Sequence, residues 1–380
     1  MINEWISPSI INKFAWPTWV NALKNAHEPK NINHITFDSP NRLRLAYDEM
    51  LAHQLTLAIA RENYRKSKGI KNIGNKSLSK KVMEFIQFEL TNAQKRVIEE
   101  IRNDMSEPFR MNRLLQGDVG SGKTLIAFLC MVTAIEAGGQ AVIMAPTEIL
   151  TKQHEDTLKP LAEKAGIVLE SLSGRDKGKE RKSKIEAIAT GKIQIIVGTH
   201  AVFQESIKYN DLRLAIIDEQ HRFGVRQRMD LGNKGDAVDI LIMTATPIPR
   251  SLALTNYGDM ELSEVDEKPI GRKPINTVMV SSSRILEVID RLKVAIETGN
   301  QIYWVCPLVE ESEFLELTSA EDRANNLSKV LGKNNIGLVH GKMSGEEKDR
   351  VMSDFVDNKI KILVATTVIE VGVDVPNATI

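Results

Sequence analysis

The chain has 380 residues, enough for two or three domains with hydrophobic cores of their own. Hydrophobic residues make up 42% of it, an ordinary share for a globular protein, which excludes a chain that is disordered throughout. The 50 basic residues balance the 50 acidic ones, so net charge by itself predicts no anionic partner. The longest apolar run, from Leu125 to Ile135, is too short to cross a bilayer, and we expect no membrane partner.

Two cysteines, Cys130 and Cys306, lie far apart in the sequence, each within an apolar run. Such positions favour buried, reduced thiols, which are typical of compartments where disulfides are rare. The first residues contain no basic stretch followed by an apolar one, so we expect no secretory signal. A cytoplasmic protein is therefore expected.

Residues 1–81 are predicted to form an N-terminal segment of their own. Four prolines predict irregular structure over the first 40 residues: Pro8, Pro17, Pro29 and Pro40. A helix is predicted at 41–66, because apolar side chains recur there every four residues, and Asp38 or Ser39 could cap it. Seven basic residues and no acidic one follow at 65–81, which is typical of an exposed linker. This linker is either a solvated loop or a contact for nucleic-acid phosphates.

From residue 82 to 268 the pattern changes to alternating strands and helices. Apolar strands are predicted at 113–116, 140–145, 168–172, 193–199, 214–217 and 240–244, with helical stretches between most of them. Strands that alternate with helices predict an α/β fold with a doubly wound parallel sheet. In such a sheet ligands bind at the carboxyl ends of the strands, where the motifs described below are expected to lie.

A second α/β unit is predicted from residue 269 to 380. Its strands are expected at 277–280, 301–307, 336–340 and 361–365, and its helices at 284–297, 320–331 and 344–357. The chain should therefore hold two doubly wound parallel-sheet lobes, the second one truncated, preceded by a helical linker.

One motif organises the first lobe, a G-x-x-x-x-G-K-T sequence. It comprises Gly117, Asp118, Val119, Gly120, Ser121, Gly122, Lys123 and Thr124. Glycines let backbone N–H groups turn toward phosphate oxygens, Lys123 can reach the β and γ phosphates, and the Thr124 hydroxyl can hold Mg²⁺. The apolar stretch that follows predicts a helix whose N-terminus favours phosphate. The alternative is a chance glycine-rich turn before a core helix.

A second motif is the apolar strand that ends in Asp218 and Glu219. In a nucleotide-hydrolysing sheet, Asp218 would hold the Mg²⁺ that bridges the phosphates. Glu219 would orient and deprotonate the attacking water. A plain acidic turn at a strand end is the alternative, and the phosphate loop upstream argues against it.

Six stretches follow one another in the order of the superfamily 2 helicase motifs: 117–124, 145–150, 198–201, 218–225, 244–250 and 366–376. Two segments are specific to RecG-type ATP-dependent DNA helicases, D-E-Q-H-R-F-G-V at 218–225 and Y-W-V-C-P-L-V-E-E-S at 303–312. The helix around residues 45–57 resembles the segment that joins this family's wedge domain to its motor. The chain from about Leu43 onward therefore resembles the RecG family, which implies two RecA-like lobes.

The resemblance implies how nucleotide would be bound. Gln94 corresponds to the glutamine that reads adenine ahead of the phosphate loop, and Gly372 and Asp374 to contacts from the second lobe. Lys123, Asp218 and Glu219 would be the catalytic residues, with ATP and Mg²⁺ as cofactors.

The same motifs imply how DNA would be bound. Residues expected to hold the DNA backbone are Thr147, Thr199 and Thr367. Residues expected to couple the state of the nucleotide to the grip on DNA are His221, Thr244 and Thr246.

The family resemblance implies a monomeric DNA helicase that acts on forks and Holliday junctions in recombination and repair. A transcription-repair coupling translocase, which shares T-A-T-P-I-P-R at 244–250, and a non-catalytic ATP- or DNA-binding remnant remain as alternatives. Gln220 argues against the translocase, where a glutamate is expected. The family's last motif, with its arginine finger, and most of its wedge domain are not found in this sequence. We therefore expect a fragment with impaired ATP turnover.

Overall fold

The structure is a computed structural model that describes residues 3–31, 34, 36–65, 68–174, 176, 178–204, 206–218, 237–246, 260–269, 275–306, 313–366, 375 and 377–380. The chain divides into two compact units, Met1–Ser67 with Ile248–Glu261, and Lys68–Pro247 with Leu262–Ile380. Within the described ranges, no helix is both long and apolar enough to span a membrane.

The N-terminal unit contains helices α1 (Pro8–Phe14), α2 (Trp19–His27) and α3 (Pro40–Arg65). The prediction of irregular structure before residue 40 is wrong, because Pro8 and Pro40 are the first residues of helices, where a missing N–H costs nothing. The long helix predicted at 41–66 is confirmed by α3. Ser39 caps it, since its Oγ accepts the Arg42 N–H at 3.2 Å.

A buried arginine holds this unit together. The Arg44 side chain is fully buried, and its Nη2 donates to Glu4 Oε1 at 2.7 Å while its Nε donates to Asp48 Oδ2 at 2.9 Å. Its guanidinium also lies 5.7 Å from the centre of the Trp5 ring. The hydrogen bond from Arg44 lowers the pKa of Glu4 to about 2. The segment before α1 is thereby fixed to α3 by charge-assisted hydrogen bonds.

The second unit contains a seven-stranded sheet in the order β3-β4-β2-β5-β6-β1-β7. The strands from β3 to β1 pair in parallel, which confirms the predicted doubly wound α/β lobe. The first six strands lie within two residues of the predicted bounds, and β7 was not predicted. The elements are α4 (Ser77–Phe85), α5 (Asn92–Ser106), β1 (Asn112–Gly117), α6 (Lys123–Glu136), β2 (Gln140–Met144), α7 (Glu148–Ala165), β3 (Leu169–Leu172), α8 (Gly178–Ala189), β4 (Ile195–Gly198), β5 (Leu212–Asp218), β6 (Asp239–Thr244) and β7 (Glu261–Val265).

The core of this lobe lies between the sheet and helices α5, α6 and α7. Each of the strands β1, β2, β5 and β6 contributes fully buried residues to that core, among them Leu115, Ile143, Ile216 and Leu241. The strands are covered on both faces, so they read as continuous apolar runs rather than as alternating patterns. Helix α6 is buried from Ile126 to Ile135, which places the phosphate loop before it on a rigid support.

The basic linker is exposed over most of its described length, as predicted, but it is docked along the first lobe. Residues 68–76 are docked along the first lobe, where the Gly69 N–H donates to Pro108 O at 2.8 Å and the Asn72 N–H donates to Met105 O at 2.7 Å. Inside this segment Asn72 is buried, and its Nδ2 donates to Asp239 Oδ2 at 2.8 Å. Hydrophobic periodicity does not detect such a segment, because backbone and amide hydrogen bonds hold it in place.

Helix α4, which follows the linker, has its N-terminus satisfied by a distant carboxylate. Glu136, the last residue of α6, accepts the backbone N–H groups of Lys76, Leu78 and Ser79 at 2.7–3.0 Å. A carboxylate at a helix N-terminus satisfies orphan donors and complements the helix dipole. The linker and α4 are therefore part of the first lobe.

A second, three-stranded parallel sheet has the order β8-β10-β9. Its strands are β8 (Ile302–Val305), β9 (Ile336–Val339) and β10 (Ile362–Ala365), and its helices are Ile285–Glu297, Glu313–Leu331 and Gly345–Val356. The strand predicted at 277–280 is wrong. Val278 and Met279 are exposed there and pair with no described strand, so an apolar β-branched pattern alone was insufficient.

Candidate active site

The phosphate loop joins β1 to α6 in the predicted strand-loop-helix arrangement. Gly120 and Gly122 have φ angles of 69° and 91°, a left-handed conformation that glycine adopts without strain. At Gly122 a Cβ atom would also lie 2.4 Å from Gln94 Nε2. The glycine spacing read from the sequence therefore corresponds to real backbone requirements of this turn.

Lys123 is the first residue of α6, and its side chain folds back over the loop. Its Nζ donates to the carbonyl oxygens of Gly117 at 2.7 Å and Asp118 at 3.0 Å. These carbonyls hold the ammonium group at the mouth of the loop. Thr124 follows as the second residue of α6 and is half-buried.

Gln94 touches the loop directly. It is the third residue of α5 and 3% exposed, and its Nε2 donates to Ser121 O at 2.7 Å. Its Oε1 accepts the Thr91 N–H at 2.9 Å, which closes a capping box at the start of the helix. Both ends of the amide are engaged, and one N–H of Nε2 and one lone pair of Oε1 remain beyond these two bonds.

Asp218 is the last residue of β5 and is 7% exposed. Its Oδ2 lies 2.8 Å from Nε2 of His154, which is itself 6% exposed and belongs to α7. A carboxylate at a strand end and the Thr124 hydroxyl are oxygen groups of the kind Mg²⁺ prefers. The donor set therefore fits the cation that the motif implies.

The backbone-contact candidates also lie at the carboxyl edge of the sheet. Thr147 caps α7, and its Oγ1 accepts the Leu150 N–H at 3.3 Å. Thr199 follows β4 and is 5% exposed, whereas the next residue, His200, is exposed. Thr199 is therefore covered in this structure, and His200 is the exposed residue beside it.

The coupling candidates Thr244 and Thr246 follow each other closely. Thr244 ends β6, pairs with Gln116 of β1 and is buried, while Thr246 is exposed. The Thr244 Oγ1 accepts the Thr246 N–H at 3.2 Å. The turn after β6 is thus built beside the strand that carries the phosphate loop.

Five of the predicted site residues lie outside the described residues: Glu219, His221, Thr367, Gly372 and Asp374. The described site residues lie at the ends of β1, β2, β4, β5 and β6, at one edge of the sheet, as predicted for a parallel fold.

A cavity of about 480 Å³ lies elsewhere, between α7 and the helix Gly345–Val356. Its lining includes one lysine, Lys152, and five carboxylate side chains, which are those of Glu148, Glu155, Asp156, Asp349 and Asp357. Such an acidic lining disfavours phosphate groups. The cavity is therefore a poor candidate for nucleotide or for a DNA backbone.

Sequence reasoning missed His154. The signal was present, because His154 falls among the apolar positions of α7, four residues after Leu150 and four before Leu158, and all three are buried. A polar residue on a buried helix stripe requires a partner. Only the folded sheet identifies that partner as Asp218.

Comparisons with known proteins agree with this site. The DEAD/DEAH box helicase family model matches residues 91–255, and the helicase conserved C-terminal domain matches residues 284–380. The ATP-dependent DNA helicase RecG of Bacillus subtilis is 46% identical over 368 residues, which cover 96% of this chain and 53% of the relative. The chain thus spans about half the length of the curated relatives it matches.

Solved structures give the same answer for the fold. A structure of RecG bound to a three-way DNA junction superposes with a TM-score of 0.81 and 40% identity, covering 100% of this chain and 49% of that one. Saccharomyces cerevisiae Dbp5 bound to RNA and ADP BeF3 has a TM-score of 0.58 at 18% identity, covering 80% of this chain and 77% of that one. That second likeness concerns the RecA-like fold alone. The relatedness in sequence and the matching structure confirm the resemblance inferred from the motifs, and the chain is homologous to RecG-type helicases over most of its own length.

Proposed function

We propose that this chain is the motor portion of an ATP-dependent DNA helicase that acts on branched DNA, in recombination and repair. The observation that carries the proposal is the carboxyl edge of the first sheet, where the phosphate loop follows β1, Asp218 ends β5 and Thr147 follows β2. The relatives support it, because they are ATP-dependent DNA helicases and one solved relative holds a three-way DNA junction.

In this proposal Lys123 exchanges its bonds to the Gly117 and Asp118 carbonyls for the β and γ phosphates of ATP. The loop N–H groups and the N-terminus of α6 hold the phosphates. Thr124 and Asp218 would hold Mg²⁺, which neutralises charge on the phosphates during phosphoryl transfer. Glu219 follows Asp218 in the chain and would orient and deprotonate the attacking water.

DNA would bind through its backbone at the same edge of the sheet. Thr147 presents a hydroxyl at the N-terminus of α7, a place where backbone donors favour phosphate. Thr199 would add a backbone contact, and Thr367 a contact from the second lobe. Such contacts position the duplex without reading its sequence. The turn after β6, with Thr244 and Thr246, together with His221, would transmit the state of the nucleotide to this grip.

We further propose that the chain works as a monomer in the cytoplasm. The compartment is supported by Cys130 and Cys306, because both are free thiols and disulfides are rare in the cytosol. We likewise propose that the second lobe begins at residue 269 and that the first begins near residue 68, where the linker docks along it, rather than at residue 82.

The test is nucleotide binding by Lys123→Ala, measured by calorimetry with ATP and Mg²⁺. We expect binding to be abolished or weakened at least tenfold, because the variant loses the cation that pairs with the β and γ phosphates. Lys192→Ala is the matched control, since Lys192 is an exposed lysine of the same lobe outside the site. Unchanged affinity in Lys123→Ala would contradict the proposal.

DNA-stimulated hydrolysis is measured alongside, with a three-way junction as the probe. Stimulation by the junction supports a motor. Binding of ATP and of the junction without any hydrolysis would instead place the chain with the non-catalytic alternative.

A further inference from the structure

His154 is buried next to the carboxylate that is expected to hold the catalytic cation. Its Nε2 lies 2.8 Å from Asp218 Oδ2, and the two side chains are 8% and 11% exposed. No motif of the sequence assigns this histidine a role. The pair joins two separate elements, helix α7 and strand β5.

The hydrogen bond determines which ring nitrogen of His154 donates and which oxygen of Asp218 accepts. A carboxylate can only accept, so the imidazole donates from Nε2. The bond engages Oδ2, which leaves Oδ1 as the oxygen through which Asp218 would reach a cation. A buried donor on one oxygen also restricts the rotation of the carboxylate about its χ2 angle.

The support behind His154 is rigid. Helix α7 is capped by Thr147 at its start, and Leu158 and Ala162, one and two turns beyond His154, are fully buried in the core. Near its start, Ile149 packs against the core of the second sheet, which contains Val339 and Phe355. The imidazole is therefore held by a helix that is anchored along its length.

We propose that His154 is a positioning residue that orients the Asp218 carboxylate toward the divalent cation bound with the nucleotide. The inference rests on the proposed function and deepens it. Partners of this kind, which orient a metal ligand from behind, typically change metal affinity or activity by about 10–100-fold when they are removed. Nucleotide without metal should be unaffected, because the phosphate loop holds it independently of Asp218.

The experiment measures Mn²⁺ binding in the presence of saturating ADP by electron paramagnetic resonance, and metal-free ADP binding by calorimetry. In His154→Leu, which fills a similar volume but has no donor, we expect Mn²⁺ affinity to fall about 10–100-fold while metal-free ADP affinity stays within a factor of two. In His154→Gln, the amide Nε2 stands as many bonds from the backbone as the imidazole Nε2. This variant should recover most of the loss.

Leu169→Ala is the control, because Leu169 is a buried core residue of β3, outside both α7 and β5. It should lower thermal stability and leave Mn²⁺ affinity unchanged. Wild-type Mn²⁺ affinity in His154→Leu would overturn the inference, and so would an equal loss in Leu169→Ala. A wild-type chain that binds neither ADP nor Mn²⁺ would overturn the proposed function itself, and the two failures are therefore distinguishable.

Discussion

At the scale of single residues, Gln94 illustrates how one side chain serves a helix and a ligand loop together. Its oxygen closes the capping box of α5 with Thr91, and its nitrogen holds the Ser121 carbonyl of the phosphate loop. The two functions can be separated by substitution, because glutamate is equally suited to the capping box but cannot donate.

We expect Gln94→Glu to weaken ATP binding by about tenfold or more, or at least 1.4 kcal/mol. The carboxylate would face the Ser121 carbonyl and would repel the phosphates. The helix cap would survive, but a carboxylate buried against a carbonyl oxygen should also lower the melting temperature. Affinity is measured by calorimetry and stability by thermal denaturation.

Thr91→Ala tests the helix cap while leaving the contact with the phosphate loop unchanged. It removes the hydroxyl that accepts the Gln94 N–H at 3.2 Å, which should cost about 1 kcal/mol of stability and leave the contact with Ser121 in place. If Gln94→Glu bound ATP as well as the wild type, the bond to Ser121 would have no part in shaping the loop.

At the scale of elements, the docking of the linker depends on a buried carboxyl at the start of β6. Asp239 is 1% exposed and accepts the Met111 N–H and the Asn72 Nδ2, each at 2.8 Å. Burial raises its pKa from 3.8 to about 7, assisted by the charge of Asp104 and opposed by these two hydrogen bonds and by Arg110. The carboxyl is therefore more readily protonated in the folded lobe than in the unfolded chain.

The sign of the pH dependence follows from this difference. A group whose pKa is raised by folding stabilises the fold fully below its unfolded pKa, near 3.8, and that contribution is lost as the pH rises to about 7. Between pH 5 and pH 8 we expect a loss of about 2–3 kcal/mol from Asp239. The measurement is urea unfolding followed by circular dichroism at both pH values.

Asp239→Asn should remove this dependence. The Asn72 Oδ1 has no partner among the described residues, so the Asn72 amide can turn over and accept from the new amide. The variant should match the wild type at pH 5 and exceed its stability at pH 8. A difference between the two proteins that is constant with pH would contradict the raised pKa.

At the scale of the whole molecule, the chain has two basic clusters that are not equivalent. One lies in the linker at 65–81, and the second comprises Arg175, Lys177, Lys179, Arg181, Lys182 and Lys184. The linker cluster, with Lys68 and Lys71, lies against the residues just before β1, at the amino edge of the first sheet. The other cluster follows β3 at the carboxyl edge, where the loop residue Gly174 donates to Glu148 of α7 at 3.2 Å. Only this second cluster lies on the same edge as Thr147.

Within the second cluster the structure further divides the charges. Arg181 donates to Ser173 O at 3.0 Å, and Lys184 pairs with Asp176 at 2.9 Å, so both contribute to local structure. Lys179 and Lys182 are exposed on α8. Arg175 and Lys177 lie outside the described residues.

We expect neutralising Lys179 and Lys182 together to make the salt dependence of DNA binding shallower by about 2 in log–log slope, since each phosphate contact contributes about 0.9. Neutralising Lys68 and Lys71 should leave the slope nearly unchanged and serves as the matched control. Binding of a three-way junction is measured by fluorescence anisotropy between about 50 and 200 mM salt. Equal effects of the two double variants would show that DNA does not favour the carboxyl edge.

The sequence by itself determined the fold class, the phosphate loop and the family. Glycine spacing at 117–124 reports local backbone needs, and apolar runs such as 214–217 report burial on both faces of a strand. These signals are local, so they can be interpreted without knowledge of the fold. The order of the motifs along the chain then indicated the resemblance to superfamily 2 helicases, which no single motif indicates alone.

Tertiary structure decided which distant groups meet. His154 is bonded to Asp218 across 64 residues, Asn72 to Asp239 across 167, and Glu136 caps a helix that begins 59 residues before it. None of these pairs has a sequence period, because each forms only when strand order and helix packing bring the two elements together. The same cause explains why the strand predicted at 277–280 does not form. Its sequence pattern suits a strand, but no described strand lies beside it to pair with.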